Sequence, residues 1–212
     1  MNADLFPLDT DLAIAPGAWL LPGFALGAAA ALLEAVGEVL AEAPLRQLHT
    51  PGGQLMQVAM SNCGELGWVS DARGYRYQAL DPRSDRCWPS MPAMIKQLAT
   101  EAAQRAGFAD FRPDACLINR YLPGNRLSLH QDRDERDFSQ PIVSISLGLP
   151  ATFLFGGLTR ADKPARLTLR HGDALVWGGP SRLRFHGVLP LADGEHPVLG
   201  RQRINLTLRR AD

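Results

Sequence analysis

The densest chemistry in the chain lies in Leu127-Ser128-Leu129-His130-Gln131-Asp132. The alternation reads as a strand, with Leu127 and Leu129 on one face and Ser128, His130 and Asp132 on the other. An imidazole and a carboxylate then lie side by side. A third ligand is offered by His186, within Arg184-Phe185-His186-Gly187-Val188. Two histidines and one carboxylate make the facial set that binds non-haem Fe(II) and leaves coordination positions open. Those positions suit a reaction in which a co-substrate and dioxygen both reach the metal. His-x-Asp alone is a weak signal, since most such pairs are surface residues, and a distant histidine strengthens it only modestly.

A second feature raises the odds. Arg203-Ile204-Asn205-Leu206-Thr207-Leu208-Arg209 reads as a late strand. Period two puts Arg203, Asn205, Thr207 and Arg209 on one face and the three aliphatic residues on the other. Two guanidiniums on one face suit a small dicarboxylate, because the guanidinium fork pairs bidentately with carboxylate. An edge strand with a solvated basic face reads the same way, and the segment by itself leaves that alternative open.

These residues need a scaffold, and the chain is long enough to supply one. Its 212 residues suit one domain with a sizeable core. Lys+Arg 22 balances Asp+Glu 22, so no global charge draws it to polyanions. A nucleic-acid contact would need a local patch, for which Arg160, Lys163, Arg166, Arg170, Arg182 and Arg184 are candidates, or they form an ordinary mixed surface. Cys63, Cys87 and Cys116 are widely spaced. Without a CxxC they indicate a reducing cytoplasm and no zinc site, each serving as a small buried hydrophobe. The uncharged run Ala13–Leu33 is no membrane span, being broken by Pro16 and Pro22 and diluted by Gly and Ala. The acidic residues before it, Asp4, Asp9 and Asp11, argue against a signal peptide.

Residues 1–23 read as extended and turn-rich. From Phe24, apolar residues at helical spacing (Leu32, Leu33, Val36, Val39, Leu40) among alanines predict a helix ending at Pro44. Residues 45–90 mix turn signals with aromatics at poor periodicity, which fits a functional lid or short surface strands. Trp68, Tyr75 and Tyr77 in it could stack on a planar ligand such as a base, although packing is the commoner use of any one aromatic. Pro92–Ala106 predicts a second helix, with Gly107 placed to end it. After Pro113 come runs at 115–122, 126–132, 141–147, 151–155, 166–170, 174–177, 184–189 and 203–209, separated by Gly, Pro and Asn turns. About eight short, evenly punctuated strands imply a β-sandwich or jelly roll.

Together these stretches resemble the bacterial AlkB-type dioxygenases. The resemblance is carried by Asn119-Arg120-Tyr121-Leu122-Pro123-Gly124, by Leu127 to Glu135, by Pro141 to Pro150, by Phe155-Gly156-Gly157 and by Arg203 to Arg209. Asn62 to Trp68 and Gly74-Tyr75 extend it into the aromatic segment. It runs over roughly residues 15–210. It implies a mainly β fold with flanking helices, the double-stranded β-helix, as a single domain over 1–212. Within that domain 1–44 would be an N-terminal extension and helix, 45–90 a substrate-binding lid, 91–112 a supporting helix and 113–212 the catalytic jelly roll. It implies Fe(II) on His130, Asp132 and His186. It implies 2-oxoglutarate as co-substrate, with Arg203 on its distal carboxylate, Arg209 near the metal end, and hydrogen bonds from Asn119, Tyr121 and Asn205. O2 is the oxidant. The implied reaction is oxidative demethylation of 1-methyladenine and 3-methylcytosine in single- or double-stranded DNA, with RNA a further substrate. Formaldehyde, succinate and CO2 are released. Trp68 would stack on the flipped base, Tyr75 would hold the backbone, and Asp134 would meet the exocyclic amine of a cationic base. Arg160 is a weaker substrate contact. The expected protein is a cytoplasmic monomer.

Two rival readings share some of these residues. A 2-oxoglutarate oxygenase acting on a protein or small molecule needs the metal and arginine residues but not Trp68, Tyr75 and Asp134. A jelly-roll binding module needs no iron, and its histidines would only pack. His49, His171 and His196 read as surface or loop histidines.

Overall fold

The computed structural model describes residues 10–212; the first nine residues of the N-terminal extension lie outside them. Fourteen strands and two α-helices follow one another in the order β1(Leu12–Ala15), β2(Ala18–Leu21), α1(Ala29–Glu42), β3(Arg46–His49), β4(Leu55–Gly64), β5(Gly67–Asp71), β6(Gly74–Gln78), α2(Ala93–Arg105), β7(Ala115–Tyr121), β8(Leu127–His130), β9(Ile142–Gly148), β10(Ala151–Phe155), β11(Ala165–Leu169), β12(Ala174–Trp177), β13(His186–Val188) and β14(Arg203–Arg209). Eight strands form one sheet in the order β1-β2-β12-β9-β14-β7-β4-β3. Four form a smaller sheet, β11-β10-β13-β8, and β5-β6 stands apart as a hairpin. All named pairings are antiparallel. Two facing antiparallel sheets with helices behind one of them make the jelly roll that the strand spacing predicts.

Alternation along the central strands divides the molecule into two cores. Ile204, Leu206 and Leu208 of β14, Val143, Ile145 and Leu147 of β9, and Cys116 and Ile118 of β7 pack against the helices through Leu32, Val36, Val39, Ile95 and Ala99. Their neighbours on the same strands face the smaller sheet. There Leu117, Tyr121, Ile142, Leu175 and Trp177 meet Phe153, Phe155 and Val188. β14 lies in the middle of the large sheet with all seven residues buried, which excludes the solvated edge strand.

The helices sit where the periodicity puts them. α1 stops two residues before Pro44, which cannot continue it. α2 ends in a Schellman motif: Phe108 N–H bonds Ala103 O at 2.8 Å and Gly107 N–H bonds Gln104 O at 3.0 Å. Gly107 takes φ +91, a left-handed conformation costly for a residue with a Cβ.

Two expectations need correction. The irregular segment 45–90 contains β4, which pairs with β7 inside the large sheet. Its alternation is hidden because Val58 to Cys63 are buried on both faces. Residues 12–21 are extended, as expected, and β2 pairs with β12 and lengthens the same sheet. Cys63 and Cys116 are buried cross-strand neighbours, as expected of small hydrophobes, but Cys87 is exposed. His171 lies in a turn, as expected. Its Nδ1 accepts the Gly148 N–H at 3.0 Å and its ring lies 4.4 Å from that of His196.

Candidate active site

His130 ends β8 and His186 begins β13, and the two are paired across that ladder. Gly187 makes the close pairing feasible: a Cβ there would lie 2.7 Å from Leu127 O and 3.1 Å from Leu129 N. Asp132 falls two residues beyond the end of β8, not within a strand. Its backbone carbonyl is held at 2.7 Å by Arg182 Nη1 instead of by a ladder. The turn brings its carboxylate between the two rings, with Oδ1 3.6 Å from His130 Nε2 and Oδ2 3.6 Å from His186 Nε2. One ligand atom from each residue lies within 4.8 Å of the others.

The protonation of this trio suits a divalent metal. His130 Nδ1 lies 2.9 Å from Ser128 O, and His186 Nδ1 lies 3.0 Å from Arg184 O. A carbonyl can only accept, so each Nδ1 carries the proton and each Nε2 lone pair faces the centre. Burial, together with the neighbouring His130, pushes the His186 pKa down and keeps the ring neutral. Burial alone would raise the Asp132 carboxyl. Arg209 and the two histidines outweigh it and hold Asp132 well below the ordinary carboxylate range. Two neutral imidazoles and a carboxylate converging on one point fit Fe(II).

Beside the trio, β14 and β7 line the same cavity. Arg203 pairs with Tyr121, and Asn205 with Asn119, across β14 and β7. Arg203 is 1% exposed. Its Nη2 donates to Ser146 Oγ at 3.0 Å, and its guanidinium lies 5.1 Å above the Tyr121 ring. Its Nε and Nη1 have no partner among the described residues. Burial lowers its pKa from the ordinary value. A buried cation with two vacant donors asks for an anion. Asn205 lines the cavity and is also held by the chain. Its amide donates to Ser144 Oγ at 2.7 Å and Ile145 O at 3.1 Å, and it accepts from Thr207 Oγ1 at 3.0 Å. It therefore braces the wall as much as it offers groups to a ligand. Arg209 is also engaged, donating to Asp132 Oδ2 from Nη2 at 2.6 Å and from Nε at 3.0 Å.

The opposite side opens to solvent past aromatic residues. Trp68 and Tyr75 stack at 5.5 Å with 13° between their planes, and Trp68 Nε1 donates to Asp134 Oδ2 at 2.8 Å. Asn62 clasps the Trp68 backbone through two 3.0 Å bonds. Arg160 stands exposed at the rim with its guanidinium 5.0 Å from the Phe185 ring. All twelve residues singled out as site residues from the sequence line one cavity of about 810 Å³. The arginine patch does not form as a unit. Arg182 is 2% exposed, and Arg184 is tied to Ser181 and Gly156, while Lys163, Arg166 and Arg170 are exposed away from this cavity's lining.

Sequence reasoning missed three contributors. Glu135 is buried between Arg182 and Arg209, at 3.0 Å and 3.2 Å. Arg182 was a surface candidate, yet it braces Asp132, Glu135 and Gln140. Tyr77 uses its hydroxyl rather than its ring face, donating to Glu135 Oε1 at 2.8 Å. The signal for Glu135 was available in its place beside Asp134. For Arg182 nothing local distinguished it from its neighbours.

The family model of the 2OG-Fe(II) oxygenase superfamily matches residues 17–209. The chain belongs to that superfamily. Within it, it is 54% identical over 198 residues to the alpha-ketoglutarate-dependent dioxygenase AlkB of Escherichia coli, covering 93% of this chain and 92% of that one. It is 36% identical over 134 residues to the human nucleic acid dioxygenase ALKBH1, covering 62% of this chain and 34% of that protein. The solved structure of OsALKBH1 superimposes with a TM-score of 0.82 at 28% identity, over 95% of this chain and 100% of that one. The chain is therefore an AlkB-type dioxygenase that uses Fe(II), 2-oxoglutarate and O2.

Proposed function

We propose that this dioxygenase repairs alkylated nucleic acid by oxidative demethylation of 1-methyladenine and 3-methylcytosine, in DNA and also in RNA. What carries the reading is the continuity of one cavity. It runs from the His130–Asp132–His186 trio to the vacant donors of Arg203 on one side and to Trp68, Tyr75 and Asp134 on the other. About 810 Å³ accommodates a keto-diacid and a base together. The relatives' names support the same substrate class.

In this reading His130, Asp132 and His186 hold Fe(II) through Nε2, a carboxylate oxygen and Nε2. Fe(II) held there would supply, with 2-oxoglutarate and O2, the oxidising chemistry that converts the methyl group to formaldehyde and the co-substrate to succinate and CO2. The chain's own residues do the placing. Arg203 takes the distal carboxylate, so the keto-acid end lies toward the trio, with Asn119 and Tyr121 lining its path. Trp68 supplies a face for a base turned out of its stack, as the Watson–Crick edge requires. Asp134 accepts from the exocyclic amine and favours a cationic methylated ring over its neutral parent. Tyr75 and the exposed rim arginines Arg126, Arg133 and Arg160 meet the phosphate backbone, which positions without reading sequence. The β5–β6 hairpin acts as the substrate lid. Among the described residues no helix is long and apolar enough to cross a membrane; we take the protein to be a cytoplasmic monomer.

The test is product release from a single-stranded oligonucleotide carrying one 1-methyladenine, with Fe(II), ascorbate and 2-oxoglutarate. Equal formaldehyde and succinate, with the methyl lost, is expected. Asp134→Asn should lower demethylation about 10- to 100-fold, the worth of a hydrogen bond to a charged group, while barely changing succinate formed without nucleic acid. Succinate with no formaldehyde from methylated DNA or RNA would move the enzyme to a protein or small-molecule substrate.

A further inference from the structure

The hairpin is fastened to the metal loop at two consecutive carboxylates. Trp68 and Tyr77 are cross-strand partners and so share one face of the β5–β6 ribbon. Trp68 Nε1 donates to Asp134, and Tyr77 Oη donates to Glu135, both within the segment that begins at Asp132. Asp134 is exposed and faces the mouth. Glu135 points the other way, with its side chain 2% exposed, and there the contact continues inward. The oxygen that accepts from Tyr77, Oε1, also lies 3.2 Å from Arg209 Nε. Arg209 in turn donates to Asp132 Oδ2 at 2.6 Å. A line of polar contacts therefore runs from the lid to the metal carboxylate: Tyr77, Glu135, Arg209, Asp132.

Arg209 is the shared element. Its Nε sits between two carboxylates, 3.0 Å from Asp132 Oδ2 and 3.2 Å from Glu135 Oε1. Which one holds it more firmly depends on how well Glu135 is satisfied by others. Arg182 Nη2 lies 3.0 Å from Oε2 as an ion pair without a hydrogen bond, and the Tyr77 hydroxyl donates to Oε1. In a buried, low-dielectric setting such bonds polarise one another, so loss of one redistributes the rest. Without the Tyr77 hydroxyl, the unmet charge on Oε1 draws Arg209 from Asp132. The carboxylate then loses the bond that fixes its plane.

We propose that Tyr77 is a positioning residue: through Glu135 and Arg209 it orients the Asp132 carboxylate, so that seating of the β5–β6 hairpin is transmitted to the metal centre. The proposal rests on the reading of His130, Asp132 and His186 as the metal ligands. Outer partners of metal ligands commonly change metal affinity by about 10- to 100-fold, and Tyr77, two contacts removed, belongs at the low end.

The experiment uses the full chain loaded with Co(II), followed anaerobically by its visible absorption and by metal titration. Tyr77→Phe should raise the Co(II) dissociation constant about tenfold and shift the absorption bands. Tyr75→Phe removes a hydroxyl from the same hairpin outside the Glu135 chain and should leave both unchanged. Glu135→Gln should shift the bands as well, and the double variant should shift them no further than the larger single change, because the two act through one path. Wild-type bands and affinity in a folded Tyr77→Phe protein would overturn the proposal, as would additive effects in the double variant. A wild-type chain that takes up no Co(II) would instead overturn the ligand reading beneath it.

Discussion

Replacing Arg203 with methionine should have opposite effects on the protein with and without its co-substrate. Arg203 is buried in the centre of the large sheet, and two of its nitrogens have no partner among the described residues. Each unsatisfied buried donor costs about 1–3 kcal/mol. Against that stand one bond to Ser146 Oγ, worth about 1 kcal/mol, and the cation over Tyr121, worth up to about 2 kcal/mol when desolvated. Methionine fills much of the volume without polar atoms. The ligand-free Arg203→Met protein should therefore be more stable by about 1–2 kcal/mol, a Tm rise of about 2–8 °C for a domain of this size. With 2-oxoglutarate the sign reverses. Truncating one partner of a buried charge pair costs about 2–5 kcal/mol, so the dissociation constant should rise about 30- to 4,000-fold at about 1.4 kcal/mol per tenfold. The assay is thermal unfolding under anaerobic Fe(II), with and without 2-oxoglutarate. Wild type should gain about 2.7 kcal/mol at 100 times its dissociation constant, and the variant no more than about 0.9 kcal/mol at that concentration. A variant that keeps the 2-oxoglutarate shift, or that is less stable than wild type without it, refutes the reasoning.

Two further outcomes follow from the geometry. Gly187→Ala places a Cβ 2.7 Å from Leu127 O and must push β13 from β8, the ladder that pairs His186 with His130; metal affinity read by titration should fall at least about tenfold, as for other losses of ligand geometry, while circular dichroism stays near wild type. The Arg46–Asp81 pair (2.5 Å and 2.8 Å) ties β3 to the turn after the hairpin. Burial favours protonation of Asp81, but Arg46 outweighs it and lowers the folded pKa below the ordinary value of 3.8. The stabilisation is therefore present above about pH 4 and lost as pH falls through that lowered pKa. Asp81→Asn should cost about 1–3 kcal/mol at pH 7 and flatten the acid limb of a denaturant-derived stability profile. An unchanged slope below pH 4 would remove Asp81 from that role.

Much of the site was legible because strands reveal themselves two residues at a time. Arg203, Asn205, Thr207 and Arg209 alternate with Ile204, Leu206 and Leu208, and that pattern survives in the structure as cavity wall and helix-facing core. The reading of His130 and Asp132 as neighbours on one strand names a trio that the structure also brings together, by a different route. The strand ends at His130, and Asp132 reaches the same place through a turn fastened by Arg182. What stayed hidden shares one cause. β4 lost its period because both of its faces are covered, and Arg182 resembled its surface neighbours because its partners, Asp132, Glu135 and Gln140, lie more than forty residues away. Periodicity reports which face is buried; it does not report what a buried charge finds there.

The buried arginines show why that distinction matters for function. Arg182 and Arg209 are completed by the chain itself: each meets Glu135, and both reach Asp132, one at its carbonyl and one at its carboxylate. Their removal would leave buried anions unpaired, so they hold the loop in one geometry. Arg203 is different in kind, for its anion is not part of the chain. A fold that keeps a cation in that condition loses stability unless a ligand restores it. In the proposed reading the restoring group is a carboxylate at the far end of a molecule whose near end reaches the trio. A monocarboxylic 2-keto acid offers the near end alone and leaves Arg203 as vacant as before. In the same reading, selectivity for a diacid comes from the placement of Arg203 and the two histidines along one cavity.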